Sequence, residues 1–320
     1  MPAIPVLIVG GYLGAGKTTL VNHLLRLSGG RRIAVMVNDF GELAIDADLI
    51  EGADGPVLAL AGGCVCCSFG SDLMGALHDV LQRQPAPDMI LIEASGVARP
   101  GSVARSARLL PGLQIDGIVL MVDSESIRQR IADPYVGELV RQQLREADLL
   151  IVNKAELCGP VALAELNAWL KTMCLPGTAL IPATQAQVPA ELVLGFHASP
   201  GVGNQGATAD PLALWAAKAV GMRSGTAADL FVSELLRLDA PLDPAPLLEA
   251  LRTQNHGVVR AKGWLTDLSG QAYLLQLVGR RLDLQKLQPD APPHGPDRLL
   301  VIGLAGFYAG LGSFLSPQRE

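Results

Sequence analysis

The stretch Ile4-Pro5-Val6-Leu7-Ile8-Val9-Gly10-Gly11-Tyr12-Leu13-Gly14-Ala15-Gly16-Lys17-Thr18-Thr19 decides the fold. Its first part, Ile4–Val9, is a short apolar run of the kind that makes a strand buried on both faces. Gly11–Thr18 then fits the pattern G-x-x-x-x-G-K-[ST], and Leu20, Leu24 and Leu25 follow at helical spacing. Strand, glycine loop and helix together are the setting in which this pattern cradles phosphate. Gly11, Gly14 and Gly16, with Ala15, let the backbone turn its N–H groups inward, and the helix N-terminus adds partial positive charge. Lys17 is expected to reach the outer phosphates. Thr18 offers a hydroxyl to Mg²⁺, and Thr19 completes the nucleotide-contacting set.

Outward from this loop, short apolar strands alternate with amphipathic helices. Ile33–Val37, Met89–Ile92, Ile118–Val122, Leu149–Val152 and Ala179–Ile181 read as strands, and Asp72–Arg83, Gly137–Glu146 and Val161–Leu170 as helices. Such alternation predicts an α/β fold, a P-loop NTPase domain whose mainly parallel sheet is flanked by helices. Residues 1–197 form this domain. Residues 198–227, rich in Gly, Ala, Ser and Pro, read as a linker with a short helix. Residues 228–320 read as a smaller C-terminal α+β domain. Its strands are Phe231–Leu238, Val258–Thr266, Ala272–Leu282 and Leu299–Ile302, and its helix Pro244–Gln254 starts after an N-capping Asp243.

Two further motifs fall at strand ends. Met89-Ile90-Leu91-Ile92 runs into Glu93-Ala94-Ser95-Gly96, which has the spacing of the D-x-x-G element of GTPases. Glu93 would hold Mg²⁺ directly or through water, and the Gly96 N–H would sense a γ-phosphate. Asn153-Lys154-Ala155-Glu156 follows Leu149–Val152 and resembles the guanine-reading N-K-x-D element. Glu156 stands where Asp is usual, and it offers the same two acceptor oxygens on a longer stem.

Three of the five cysteines, Cys64, Cys66 and Cys67, sit in Gly62-Gly63-Cys64-Val65-Cys66-Cys67-Ser68. In an extended segment Cys64 and Cys66 face one side, and the flanking glycines allow Cys67 to turn toward them. Three thiolates leave a fourth position open on Zn²⁺, which suits an exchangeable ion. A redox switch and plain packing are the other readings of these thiols. Cys158 and Cys174 are isolated and read as structural.

Composition bounds the rest. The 320 residues are 49% hydrophobic, enough for a large core. The net charge is −6, with 25 Lys and Arg against 31 Asp and Glu, so there is no basic excess to bind nucleic acid by counterion release. An odd number of cysteines without scaffold spacing points to a reducing compartment, the cytoplasm. The uncharged run from Leu299 to Leu315 is at the lower edge of a membrane-spanning length. Its four glycines and lack of a basic flank favour a buried strand and docked tail over a C-terminal anchor.

Taken in order, Gly11–Thr18, Asn38-Asp39-Phe40-Gly41-Glu42, the C-x-C-C string, Glu93–Gly96 and Asn153–Glu156 resemble the CobW-type GTPases. These are P-loop metallochaperones related to the urease and hydrogenase nickel-insertion GTPases. Arg260-Ala261-Lys262-Gly263 resembles their second domain. The resemblance implies GTP and GDP as ligands, slow GTP hydrolysis with Mg²⁺, Zn²⁺ or alternatively Co²⁺ at Cys64, Cys66 and Cys67, and delivery of that metal to an unidentified client metalloprotein. It also implies a first switch segment at Asn38–Glu42, where Asp39 and Glu42 are candidate catalytic, Mg²⁺ or water-positioning groups beside Lys17 and Glu93. An adaptor that activates a metalloenzyme, and a redox-sensing P-loop NTPase without metal, are the alternatives. Glu156, Arg99 where the family is commonly acidic, and the absence of a His-rich run depart from the family pattern.

Overall fold

The computed structural model describes residues 3–37, 58–61, 71–195, 231–238, 241–253, 257–287 and 297–304. The chain divides into two compact units, Met1–Leu194 and Gly195–Glu320.

In the first unit seven strands form one sheet. They are β1 (Ile4–Gly10), β2 (Ile33–Val37), β3 (Leu58–Ala61), β4 (Met89–Glu93), β5 (Leu113–Asp123), β6 (Leu149–Asn153) and β7 (Ala179–Pro182). The order is β3-β2-β4-β1-β5-β6-β7, and every neighbouring pair is parallel. The helices are α1 (Lys17–Arg26), α2 (Ser71–Leu81), α3 (Pro100–Ala107), α4 (Ile127–Ala132), α5 (Gly137–Glu146), α6 (Pro160–Met173) and α7 (Ala190–Leu194).

The near-continuous apolar runs follow from burial on both sheet faces. Val6, Ile8, Ile90 and Ile92 pack with Leu77 and Val80 of α2 and Val103 and Ala107 of α3. Leu120, Val122, Leu150 and Val152 pack with Ile127 of α4, Val140 and Leu144 of α5 and Leu166 and Leu170 of α6. The intervening residues Leu7, Val9, Leu91, Val119 and Ile151 are equally buried, and α1 packs against β1 and β4. Strand order reverses at β1, whose neighbours are β4 and β5. In open parallel sheets the crevice beyond the carboxyl ends at such a point is where ligands bind.

Strand β5 is longer than the expected Ile118–Val122, because Gln114 and Asp116 interrupt the apolar pattern although Asp116 is buried. The remaining expected strands and helices of this unit occur, with ends shifted by a few residues at most.

The second unit is a five-stranded antiparallel sheet in the order β11-β10-β9-β12-β8. Its elements are β8 (Phe231–Arg237), α8 (Pro244–Thr253), β9 (Val258–Thr266), β10 (Ala272–Val278), β11 (Arg281–Lys286) and β12 (Arg298–Leu304). The expected single strand Ala272–Leu282 is two strands. Val278 pairs with Arg281, and the two-residue turn between them begins at Gly279 with φ 52°. Such a positive φ at a hairpin turn matches strand twist, and Gly279-Arg280-Arg281 is the break in the apolar run that marks it in the sequence. Asp243 caps α8 as expected, accepting the Ala245 N–H at 3.0 Å with Pro244 at the first helical position.

The start of the uncharged Leu299–Leu315 run is strand β12, paired on both edges. Its remainder, the expected 198–227 linker and residues 288–296 lie outside the described residues. Among the described residues no helix is long and apolar enough to cross a membrane.

Candidate functional site

The phosphate loop leaves β1 at the switch point and enters α1. Gly11, Gly14 and Gly16 have φ of 138°, 79° and 101°, values that only glycine adopts without strain. Two of them are also sterically confined. A Cβ on Gly11 would lie 2.3 Å from the Met121 carbonyl oxygen, and one on Gly16 would lie 2.5 Å from Asn153 Nδ2. Gly16 is the N-cap of α1, with no side-chain cap and no acidic residue in the first turn. The positive end of the helix is therefore left for an external anion. Lys17 is buried at the start of that helix, Ala15 is buried, and Thr19 is exposed.

Thr18 and Glu93, 75 residues apart, meet here. The Thr18 hydroxyl donates to Glu93 Oε1 at 2.8 Å. Glu93 is only 1% exposed, at the end of β4 and in register with Val9 of β1. A hydroxyl and a carboxylate oxygen at this separation fit a small hard cation. Adjacent ligands of an octahedral Mg²⁺ at ~2.0–2.1 Å stand roughly 2.9 Å apart.

Gly96 sits directly against the loop. A Cβ on Gly96 would lie 2.9 Å from the Leu13 nitrogen and 2.6 Å from Leu13 Cδ2. The Gly96 turn closes with Ala98 N–H donating to Ser95 O at 2.9 Å. Arg99 is engaged by Glu146, with Nε donating to Oε1 at 3.0 Å.

At the other side of the loop, Asn153 is buried at the end of β6. Its Nδ2 donates to Ala15 O at 2.9 Å, and its Oδ1 accepts the Ala186 N–H at 2.7 Å. Asn153 thus ties the phosphate loop to the segment after β7, where Gln185 and Ala186 have positive φ. Lys154 adopts φ 60°, and its Nζ donates to Asp123 Oδ2 at 2.6 Å. Partial burial pushes the Asp123 carboxyl up. The Lys154 bond and the Glu125 and Ser126 N–H groups outweigh that and hold it below the usual carboxylate range. Glu156 is exposed on the 3₁₀ turn Ala155–Leu157. His23, on α1, bonds the Val188 carbonyl through Nε2 at 2.8 Å.

Lys17, Thr18, Glu93, Gly96 and Asn153 thus surround one loop, with Lys154 and Glu156 following Asn153. Asp39, Glu42, Cys64, Cys66 and Cys67 lie outside the described residues. Among the described residues no group of three or more His, Cys, Asp and Glu side chains is placed to hold a metal ion. Two residues that line a cleft beside the loop, Asp123 and Gln143, escaped the sequence reading. Asp123 ends an apolar strand as Glu93 does, and that shared pattern was the available signal. Gln143 interrupts the apolar stripe of α5 and is itself buried.

One sheet register bears on the undescribed motifs. Ala61 of β3 pairs with Val37 of β2, Val37 with Glu93 of β4, and Glu93 with Val9 of β1. The four residues form a row at the carboxyl edge. Asp39 lies two positions after Val37 in sequence, and Cys64 three after Ala61.

The CobW/HypB/UreG nucleotide-binding domain matches residues 5–178, and the cobalamin synthesis protein CobW C-terminal domain matches residues 231–307. The zinc chaperone CobW of Sinorhizobium sp is 29% identical over 334 residues, covering 94% of this chain and 93% of that relative. The zinc chaperone CobW of Pseudomonas aeruginosa is 34% identical over 226 residues, covering 61% of this chain and 60% of that relative. A solved Zn(II)-bound YjiA GTPase from E. coli is 20% identical with a TM-score of 0.42, covering 99% of this chain and 100% of that one. The first domain match spans more than half of the 320 residues and the second falls within the antiparallel unit, so the chain belongs to the CobW/HypB/UreG family of P-loop GTPases and carries a CobW-type C-terminal domain.

Proposed function

We propose that this chain is a GTP-hydrolysing zinc carrier that binds the metal at Cys64, Cys66 and Cys67 and releases it to a client protein under control of the nucleotide. The carboxyl-edge row Ala61, Val37, Glu93, Val9 carries this reading. Adjacent strands stand about 4.8 Å apart. The points from which the cysteine string and the Asp39–Glu42 segment leave the sheet are therefore within two strand spacings of the Mg²⁺ carboxylate. The zinc-chaperone names of the relatives accord with Zn²⁺ as cargo.

In this reading Lys17 and the loop N–H groups hold the β- and γ-phosphates, and Thr18 and Glu93 hold Mg²⁺. Bound Mg²⁺ supplies charge neutralisation of the phosphates. Asn153 keeps the loop in place, Lys154 and Glu156 face the base, and Asp39 or Glu42 orients the attacking water. Co²⁺ is the alternative cargo. Ordering of Asp39–Glu42 and Gly96 by a γ-phosphate would change the geometry of the thiolates nearby.

Zn²⁺ affinity measured with GDP and with a non-hydrolysable GTP analogue tests the coupling. A difference of about fivefold or more is expected, and linkage requires Zn²⁺ to change the nucleotide preference by the same factor. Equal affinities would overturn the nucleotide control. Lys17→Ala should abolish nucleotide binding and spare Zn²⁺ binding, and Cys66→Ala should do the reverse.

A further inference from the structure

Helix α5 (Gly137–Glu146) buries Val140 and Leu144 and, with them, Gln143 at 1% exposure. An amide at such a position weakens the fold unless it is hydrogen-bonded, and a methionine would fill the space without that cost. Gln143 Nε2 donates to two carbonyls, Gly96 O at 3.1 Å and Ala98 O at 2.7 Å. One turn further on, Glu146 accepts the Gly101 N–H at 2.9 Å and the Arg99 guanidinium. All of these bonds land on residues 96–101, the segment that follows Glu93.

The opposite side of Gly96 faces the phosphate loop at Leu13. Val140 and Gln143 also line a narrow cleft with Tyr12, Leu13 and Ala15 of that loop. The Gly96 turn is therefore held between the nucleotide cradle and α5. Glu146 acts at the start of α3, where its carboxyl lies close over Gly101: a Cβ there would meet the Glu146 carboxyl carbon at 2.6 Å and displace it. Gln143 acts on the Gly96 turn itself.

We infer that Gln143 is a positioning residue that sets the Gly96 turn for recognition of the terminal phosphate. This makes α5 the element that moves with the nucleotide state. The inference rests on the GTPase reading above. Gln143 bonds carbonyls only, so it leaves the Gly96 N–H to a ligand while orienting the Gly96–Val97 and Ala98–Arg99 peptides. Two neutral hydrogen bonds suit a segment that must shift between nucleotide states, because each is modest in water-exchanged terms.

Gln143→Met keeps the volume and removes both donors. Affinities for GDP and for a non-hydrolysable GTP analogue, with Mg²⁺, are measured for this variant and for the unaltered chain. The analogue-to-GDP preference is expected to fall about five- to tenfold, the scale of losing two hydrogen bonds, with GDP affinity held within about twofold. A purely structural role would lower the melting temperature and leave the preference unchanged, and that result overturns the inference. An unaltered chain that binds neither nucleotide overturns the GTPase reading and this inference together. Should the variant not fold, hydrogen exchange in the unaltered chain decides. Replacing GDP by the analogue should slow exchange in residues 96–101 and in α5 together. A change in residues 96–101 with none in α5 counts against the inference.

Discussion

Asn153 shows how a single side chain can serve two ends. Its motif reads as part of a base-recognition element, yet its buried amide is spent on Ala15 O of the phosphate loop and on the Ala186 N–H. Truncation would leave a buried carbonyl and a buried N–H unsatisfied, at about 1–3 kcal/mol each. Asn153→Ala should therefore destabilise the first unit by roughly 2–4 kcal/mol in urea unfolding and weaken GDP binding with it. A stability change without loss of GDP affinity would show that the tie does not shape the loop. The motif was legible from the sequence because a strand end and N-K-x-E spacing are local. That Asn153 reaches the phosphate loop was not legible, since Ala15 is 138 positions away.

At the scale of elements, the glycine of Arg260-Ala261-Lys262-Gly263 gains a physical reason. Gly263 lies in β9 opposite Leu299 of β12, and a Cβ there would stand 1.9 Å from the Arg298 carbonyl oxygen and 2.8 Å from the Leu299 Cα. Both obstacles are backbone, so a side chain cannot simply turn away. Gly263→Ala should cost about 2–3 kcal/mol by forcing β9 and β12 apart, read as a lower urea midpoint of the second unit. An unchanged midpoint would mean that the sheet absorbs the methyl group. In the sequence this glycine is one residue of a short motif; the crossing backbone that requires it arrives from a strand over thirty positions later. The β10–β11 hairpin was missed for a related reason. Its turn is two residues long, Gly279-Arg280, and Leu282 resumes the apolar pattern directly after Arg281, so the break is brief.

On the scale of the whole molecule, each core closes within one unit. The clusters around β1–β6 draw on residues 6–174, and the cluster of the antiparallel sheet draws on residues 236–301. Calorimetry should therefore resolve two thermal transitions. Mg²⁺-GDP at 100 times its dissociation constant should stabilise the first unit by about 2.7 kcal/mol, raising that transition by roughly 5–10 °C. The second transition should stay where it is. One joint transition that shifts as a whole would overturn this independence.

The sequence by itself determined the parallel sheet, the phosphate loop and the family, because each is written in contiguous residues. Burial on both faces makes unbroken apolar strands, and phosphate binding needs glycine, lysine and threonine at fixed spacing. Tertiary structure alone decided which distant groups meet. Thr18 reaches Glu93 because β1 and β4 are neighbours though not consecutive. The carboxyl-edge row from Ala61 to Val9 exists through strand register. Gln143 finds Gly96 and Ala98 because α5 packs against β5 and α3, beside the segment that follows β4, an arrangement that no local pattern encodes. Register and packing depend on pairings between segments far apart in the chain. The residues can be named from sequence, and the contacts that give them work can be named only from the fold.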